Sequence, residues 1–248
     1  MTTEIIAHRG ASKLAPENTM PAFELAYKQG ADGIETDVQL TKDGIPVLIH
    51  DEQVKRTTNG KGYVKDLTLN QLKELDAGSW FSKKFIGTTI ITLEEFLQWI
   101  KPKSLYLNIE LKNTKIIYKN METIVYDMLS HYDLLHRTTL STFNPFSVRR
   151  ISELCQDLDI ALLTSRRNPN LVHDAKAMGA NALHVKFRLL RLSLKKACQK
   201  ENMTLRVYTV NRPMHMRQCF TQKIDGLITD VPNLALQQRS AYQLKHKD

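Results

Sequence analysis

The sequence predicts a (β/α)8 TIM barrel of the α/β class, with a small insertion subdomain after its second strand. Three observations carry this. Apolar, strand-like runs alternate with amphipathic helical segments almost from end to end of the 248 residues. An open doubly wound sheet would usually carry a glycine-rich phosphate loop after its first strand, and HRGASKLAPEN stands there instead. The polar residues of the strand-like runs fall near their C-terminal ends, where a barrel places its chemistry.

The elements follow in order. Strands are expected over 4–8, 33–40, 105–111, 139–143, 160–163, 182–185, 205–210 and 226–229. Helices are expected over 19–29, 93–100, 116–132, 145–156, 171–178, 192–201 and 214–221. Asn18 is placed to cap the first helix, with Pro21 in its first turn and Gly30 closing it, and Gly179 closes another. Segment 51–89 breaks the rhythm. It holds the turn NGKG, the helical pattern LTLNQLKELDAG and Trp80. A connection of that length is usually functional, so 51–89 is expected as a subdomain beside the active site. The expected organisation is one domain over 1–248, ending in a polar, frayed tail over 237–248.

Composition fits a globular enzyme: 42% hydrophobic and 25% charged residues exclude disordered and collagen-like classes. No apolar run reaches the roughly 20 residues of a membrane span, and MTTEIIAHRG lacks the pattern of a signal peptide. The reading is cytoplasmic. Cys155, Cys198 and Cys219 form no paired motif and are expected as reduced thiols. The net charge is 35 − 26 = +9, with ten Lys or Arg and one acid, Glu201, between Lys186 and Lys223. Such a stretch is either a solvated basic face or an attractor of anions. With 7% aromatic residues and no aromatics interleaved among the cations, no nucleic-acid partner is expected.

The chemistry begins with IETDV. Glu35 and Asp37 lie two residues apart on a strand, so they share a face. LYLNIELK alternates too, with Asn108, Glu110 and Lys112 opposite a face of Leu105, Leu107, Ile109 and Leu111. Buried carboxylates that repel each other need a neutralising partner. Downstream, Asp43-Gly44 reads as a two-residue hairpin turn, a register that pairs Asp37 with His50. The first strand ends in His8-Arg9. Three carboxylates without a cysteine suit one hard divalent cation, Mg2+ or Ca2+. His8 and His50 suit a general acid and a general base, and Arg9 and Lys112 suit a bound phosphate. Together these groups point to cleavage of a phosphate ester.

At these residues the sequence resembles the glycerophosphodiester phosphodiesterase family. The motifs are AHRG (7–10), APENT (15–19), ExD at 35–37, HD (50–51), ELK (110–112), STFNP (141–145), VYTVN (207–211) and DGLITDVP (225–232). RTTNGKG with DLTLNQLKELDAGSWF (56–81) and TLEEFL (92–97) extend the match over nearly the whole chain. The resemblance implies a phosphatidylinositol-phospholipase-C-like barrel with an insertion after its second strand. It implies hydrolysis of glycerophosphodiesters, such as glycerophosphocholine or glycerophosphoethanolamine, to glycerol 3-phosphate and an alcohol. It implies Glu35, Asp37 and Glu110 as metal ligands, His8 and His50 as the acid/base pair, and Arg9 and Lys112 as phosphate contacts. Glu17 and Asn18 would shape the loop after the first strand, and Phe143 and Tyr208 would line the pocket. The chain departs from the family's pattern at Tyr208, where Trp is usual, and at Ile91, where Pro is frequent. A lysophospholipase D-like or related phosphodiesterase on the same barrel is the alternative. A basic anion-binding protein without catalysis is a more distant one. The expected partner is a small-molecule substrate, without stable membrane insertion.

Overall fold

Alternating strand residues put one set of side chains inside a barrel and the other against its helices. The computed structural model describes residues 2–155 and 158–246. Among them, the strands are β1 (Glu4–His8), β2 (Gly33–Leu40), β3 (Pro46–Leu48), β4 (Tyr106–Leu111) and β5 (Thr138–Thr142). They continue with β6 (Asp159–Thr164), β7 (Ala182–Lys186), β8 (Thr204–Tyr208) and β9 (Gly226–Thr229). All but β3 pair in parallel, in the ring order β1-β2-β4-β5-β6-β7-β8-β9, and β1 pairs with both β2 and β9 to close it. The fold is therefore the expected eight-stranded (β/α)8 barrel. β3 is antiparallel and lies outside the ring on β2.

The helices are α1 (Met20–Lys28), α2 (Leu69–Lys73), α3 (Leu93–Ile100), α4 (Met121–His131) and α5 (Pro145–Leu154). After them come α6 (Leu171–Ala177), α7 (Leu192–Lys200), α8 (Pro213–Thr221) and α9 (Pro232–Lys245). Local sequence sets several boundaries. Thr92 and Glu95 form a reciprocal capping box that starts α3, as Thr68 and Gln71 do for α2. Gly30, at φ +83°, closes α1 by donating its N–H to the Tyr27 carbonyl. No helix among the described residues is long and apolar enough to cross a membrane.

The main core lies between barrel and helices. Ile5, Ile34, Leu107, Ile109 and Leu205 are fully buried there with Phe23 and Phe96, whose rings sit 4.7 Å apart. Each such side chain contributes about 1.5–3 kcal/mol by leaving water. A second cluster of Val47, Ile49, Val54, Val64, Leu72, Ala77 and Ile90 lies under segment 51–89. That segment thus packs through a cluster of its own residues shared with Val47 of β3, Ile49 and Ile90, apart from the main core.

Four expectations need correction. The turn after β2 has three residues, not two. Thr41 pairs with Ile45, Gly44 takes φ +78°, and Val38 faces Leu48, so Asp37 is opposite Ile49 rather than His50. Asp43 holds this longer turn by accepting from Thr41 Oγ1 at 2.6 Å and from the Leu69 N–H at 3.0 Å. Second, α4 starts at Met121, not 116. Asn120 is left-handed at φ 58°, and buried Asn113, bonded to Glu122, Ser147 and Thr142, holds the preceding chain as a loop. Third, the stretch from 237 to Lys245 belongs to α9, which completes the outer ring. Arg239 ties it to Asp32 and to the Thr3 carbonyl. Only Pro232 and Ala235 of this helix are buried, so its sequence reads as a polar tail. Fourth, Asn18 does not cap α1; Thr19 occupies that position without a side-chain capping bond, its hydroxyl donating instead to the Pro16 carbonyl at 2.6 Å. The last residue of the helix expected over 145–156 and residues 247–248 of the tail lie outside the described residues.

The basic stretch 186–223 is not one face. Lys195 is buried beside Asp225, and Arg206 points into the barrel, 4.3 Å over the Tyr106 ring.

Candidate functional site

The C-terminal ends of β1, β2 and β4 bring the expected residues together. Parallel register sets His8 beside Glu35, and Asp37 beside Glu110. One oxygen each from Glu35, Asp37 and Glu110 lies within 4.8 Å of the others, and all three residues are buried. A cavity of about 150 Å3 opens above them, lined by His8, Arg9, Glu35, His50, Asn108, Glu110, Lys112, Phe143 and Tyr208, among others. All nine predicted site residues except Asp37 line it, and Asp37 lies at its floor between Arg9 and Lys112. Larger grooves of about 620 and 640 Å3 lie elsewhere, without the three-carboxylate cluster.

The chain turn after β1 aims these groups. Arg9 takes φ 57° and its N–H donates to Glu35 Oε2 at 3.0 Å. Gly10 follows at φ +83°; a Cβ there would meet the Ala22 backbone at 2.6 Å, so only glycine fits against α1. The Arg9 guanidinium lies 3.0 Å from Asp37 and 2.8 Å from Glu17. Lys112 lies 2.7 Å from Glu110 and 3.7 Å from Asp37. Asn18, displaced from its expected cap, donates to Asp37 Oδ2 at 2.9 Å and accepts from Thr36 Oγ1.

Each histidine has a carboxylate behind it. His8 Nδ1 is 2.6 Å from Asp230, which Asn211 holds at 2.5 Å. His50 Nδ1 is 2.6 Å from Asp51, which Arg56 holds at 2.6 Å. An ionised carboxylate only accepts, so Nδ1 carries the proton in both rings and Nε2 is left for the cavity. Arg56 also grips Glu17 at 2.7 Å, completing an ion-pair chain: Asp37, Arg9, Glu17, Arg56, Asp51, His50. Thus His50 reaches the site although the hairpin register does not deliver it. Phe143 and Tyr208 meet edge to face at 6.1 Å on the opposite wall.

Electrostatics separate the carboxylates. Burial disfavours the charge on Asp37, but Arg9, Lys112 and His50 outweigh it and hold Asp37 below the usual carboxylate range. Burial and the Asp37 charge push Glu35 well above that range, against the pull of Arg9. Burial, then Asp37, also raises Glu110, against Lys112. Asp37 Oδ1 is buried with no hydrogen-bond partner among the described residues. An all-oxygen set with an unmatched buried carboxylate oxygen and mutual repulsion fits a hard divalent cation.

Six residues of this network escaped site assignment in the sequence: Asp51, Arg56, Asn211 and Asp230, with Glu17 and Asn18 seen only as loop-shaping. For Asp230 and Asp51 a signal existed. Asp230 directly follows the end of β9, and Asp51 is next to His50.

Comparison with known proteins agrees with this geometry. Residues 8–234 match the Glycerophosphoryl diester phosphodiesterase family. A Caldanaerobacter subterraneus subsp. tengcongensis protein named glycerophosphodiester phosphodiesterase is 43% identical over 94% of this chain and 96% of its own length. A Bacillus altitudinis protein of the same name is 37% identical over 96% and 98%. The solved structure of an Oleispira antarctica phosphodiesterase in complex with the product sn-glycerol-3-phosphate superposes with a TM-score of 0.90. The two are 28% identical, covering 96% of this chain and 97% of that one. The family match over most of the chain, the relatives' identity and the shared barrel lead to one conclusion: this chain belongs to the glycerophosphoryl diester phosphodiesterase family.

Proposed function

We propose that the chain hydrolyses small glycerophosphodiesters to glycerol 3-phosphate and an alcohol, using one divalent cation and the His8/His50 pair. The observation that carries this is the three-carboxylate cluster with two carboxylate-backed histidines in one cavity. Relatives named for this activity and a neighbour holding sn-glycerol-3-phosphate support the substrate class.

Glu35, Asp37 and Glu110 would hold Mg2+ or Ca2+. Bound there, the cation would offset charge on a non-bridging phosphate oxygen. Arg9 and Lys112 position the phosphate from the same side. One histidine Nε2 takes the proton from the nucleophile, and the other, entering as the imidazolium, gives its Nε2 proton to the leaving alkoxide. With water as nucleophile this yields glycerol 3-phosphate directly, and with the neighbouring glycerol hydroxyl it yields a cyclic phosphate that water then opens. Asp230 and Asp51 fix the ring orientations through Nδ1 and stabilise the imidazolium form of either ring. Phe143 and Tyr208 line the alcohol side. We place segment 51–89 as a subdomain within a single domain, since it supplies Arg56 beside the cavity and packs on a cluster apart from the main core. Three free cysteines accord with a cytoplasmic setting.

The test is turnover of glycerophosphocholine, glycerophosphoethanolamine and lysophosphatidylcholine, with and without chelator. Metal-dependent release of glycerol 3-phosphate from the first two is expected. Preference for lysophosphatidylcholine would favour the lysophospholipase D-like reading, which the cavity of about 150 Å3 disfavours.

A further inference from the structure

We propose that one half of the barrel's C-terminal rim is a docking surface for an anionic lipid layer. The observations do not depend on the catalytic assignments. The rim here consists of the loops after β4, β5, β6, β7 and β8, four of them taken into the start of the helix that follows: residues 112–120, 143–149, 165–172, 187–193 and 209–216. These five stretches contain no Asp or Glu and nine Lys or Arg; the acids that follow them are Glu122 of α4, buried against Arg150, and Asp174 of α6, half-buried. Among the described residues only two of the nine form ion pairs, Lys112 in the cavity and Lys115 with Glu52. Arg166, Arg167, Arg191 and Arg212 are exposed. The other half of the rim differs: segment 49–89 mixes five acids with seven Lys or Arg.

The same loops expose apolar tips. Ile117 is 79% exposed, Phe146 70%, Leu192 57% and Met214 70%. Phe146, Leu192 and Met214 stand in the first turns of α5, α7 and α8, which carry no acidic residue there. Helix starts usually favour acids. A groove of about 620 Å3 between α6 and α7 opens beside the tips. Arg166, Arg167 and Arg191 are among its walls, over apolar Leu171, Val172 and Leu189.

Cations that neutralise headgroup phosphates, interspersed with isolated apolar tips that reach below them, match an anionic bilayer surface. Nucleic acid fits less well, since only one tip is aromatic and none forms a stacking series. A second copy of this surface would meet like charge. The cavity opens on the same end of the barrel, so docking turns its mouth toward the lipid layer.

The test is flotation of the full chain with vesicles of phosphatidylcholine alone, or of phosphatidylcholine and phosphatidylglycerol in equal parts. Binding to the second only, weakening with salt, is expected. The variant Arg166→Glu/Arg167→Glu/Arg191→Glu should lower partitioning about tenfold or more, from the charge contribution of each residue near the surface. The variant Ile117→Ser/Phe146→Ser/Leu192→Ser/Met214→Ser should lower it several-fold while turnover of soluble glycerophosphodiesters and the melting temperature stay unchanged. Lys101→Glu/Lys223→Glu, at the opposite end of the barrel, is the charge control and should bind as the parent does. Equal loss in that control would overturn the proposal. So would binding indifferent to lipid charge, no vesicle binding at all, retention on DNA without binding to vesicles, or sedimentation showing that the tips instead join two copies.

Discussion

The two histidines reach one cavity by different means. His8 ends β1, so ladder hydrogen bonds to β2 and β9 fix its backbone. Its partner Asp230 directly follows β9 and is held by Asn211 and Ser12. His50 lies beyond β3, outside any strand, and its ring is placed by Asp51, Arg56 and Glu17. The side chains of His8 and Asp230 are 18% and 19% exposed, those of His50 and Asp51 31% and 30%. One arm is set by the sheet and half-buried neutral donors, the other by charges closer to water. Strength of support should differ accordingly, because exposed ion pairs weaken with salt and buried hydrogen bonds do not.

The largest effect removes what both arms share. Asp37→Ala, or chelation, should reduce turnover to background, and Mg2+ or Ca2+ should restore only the chelated enzyme. Substantial metal-independent turnover would sink the cation assignment. Next, His8→Ala and His50→Ala should each lower kcat by about 10²–10⁴-fold with the fold intact by circular dichroism. Near-parent rates in both would end the acid/base reading. The comparison itself is sharpened by the supporting residues. Asp230→Asn should cost about 10²-fold in kcat with KM little changed, at low and high salt alike. Arg56→Ala should cost only about two- to fivefold, and the deficit should shrink as salt rises, since salt weakens the parent's own pair. Equal losses with equal salt response would erase the distinction between the arms.

The smallest effect concerns acid and the segment that supplies Arg56. Asp76 accepts from the N–H groups of Gly87, Ser79 and Gly78, which hold its pKa down at about 2. The ordinary value is about 3.9, so the folded segment gains from this carboxylate above about pH 4. That gain fades as pH falls toward 2. Trp80, whose indole donates to the Ala77 carbonyl, reports on it. Its fluorescence should change between about pH 4 and 2 in the parent, and Asp76→Asn should flatten that transition.

Much of this was legible in the sequence where a period or an adjacency carries the information. Glu35, Asp37 and Glu110 stand out because strand alternation leaves them on the face opposite aliphatic residues. His8 stands out because it ends a short apolar run. What failed depended on tertiary competition. Asp43 is a good turn residue in either register, and the longer turn is held in part by its bond to Leu69, 26 positions away, which local sequence does not show. Asn18 is a good cap, yet Asp37 and Thr36 offer it buried partners. α9 reads as a tail because the apolar side chains it packs on the core, among them Leu234, Ala235 and Tyr242, are few and are spread among polar residues, and Arg239 ties it to Asp32.

The joint at Glu17 sets a limit on exchange of parts. Segment 51–89 packs Val54, Val64, Leu72 and Ala77 against Val47, Ile49 and Ile90 of the flanking chain, and a graft of 47–90 would keep that packing. Its Arg56, however, holds Asp51 on one side and Glu17 on the other, and Glu17 belongs to the loop after β1. A chimera that moves 47–90 alone would inherit a packed cap with a loosened His50. Residues 17 and 56 travel as a pair, or the second histidine arrives unaimed.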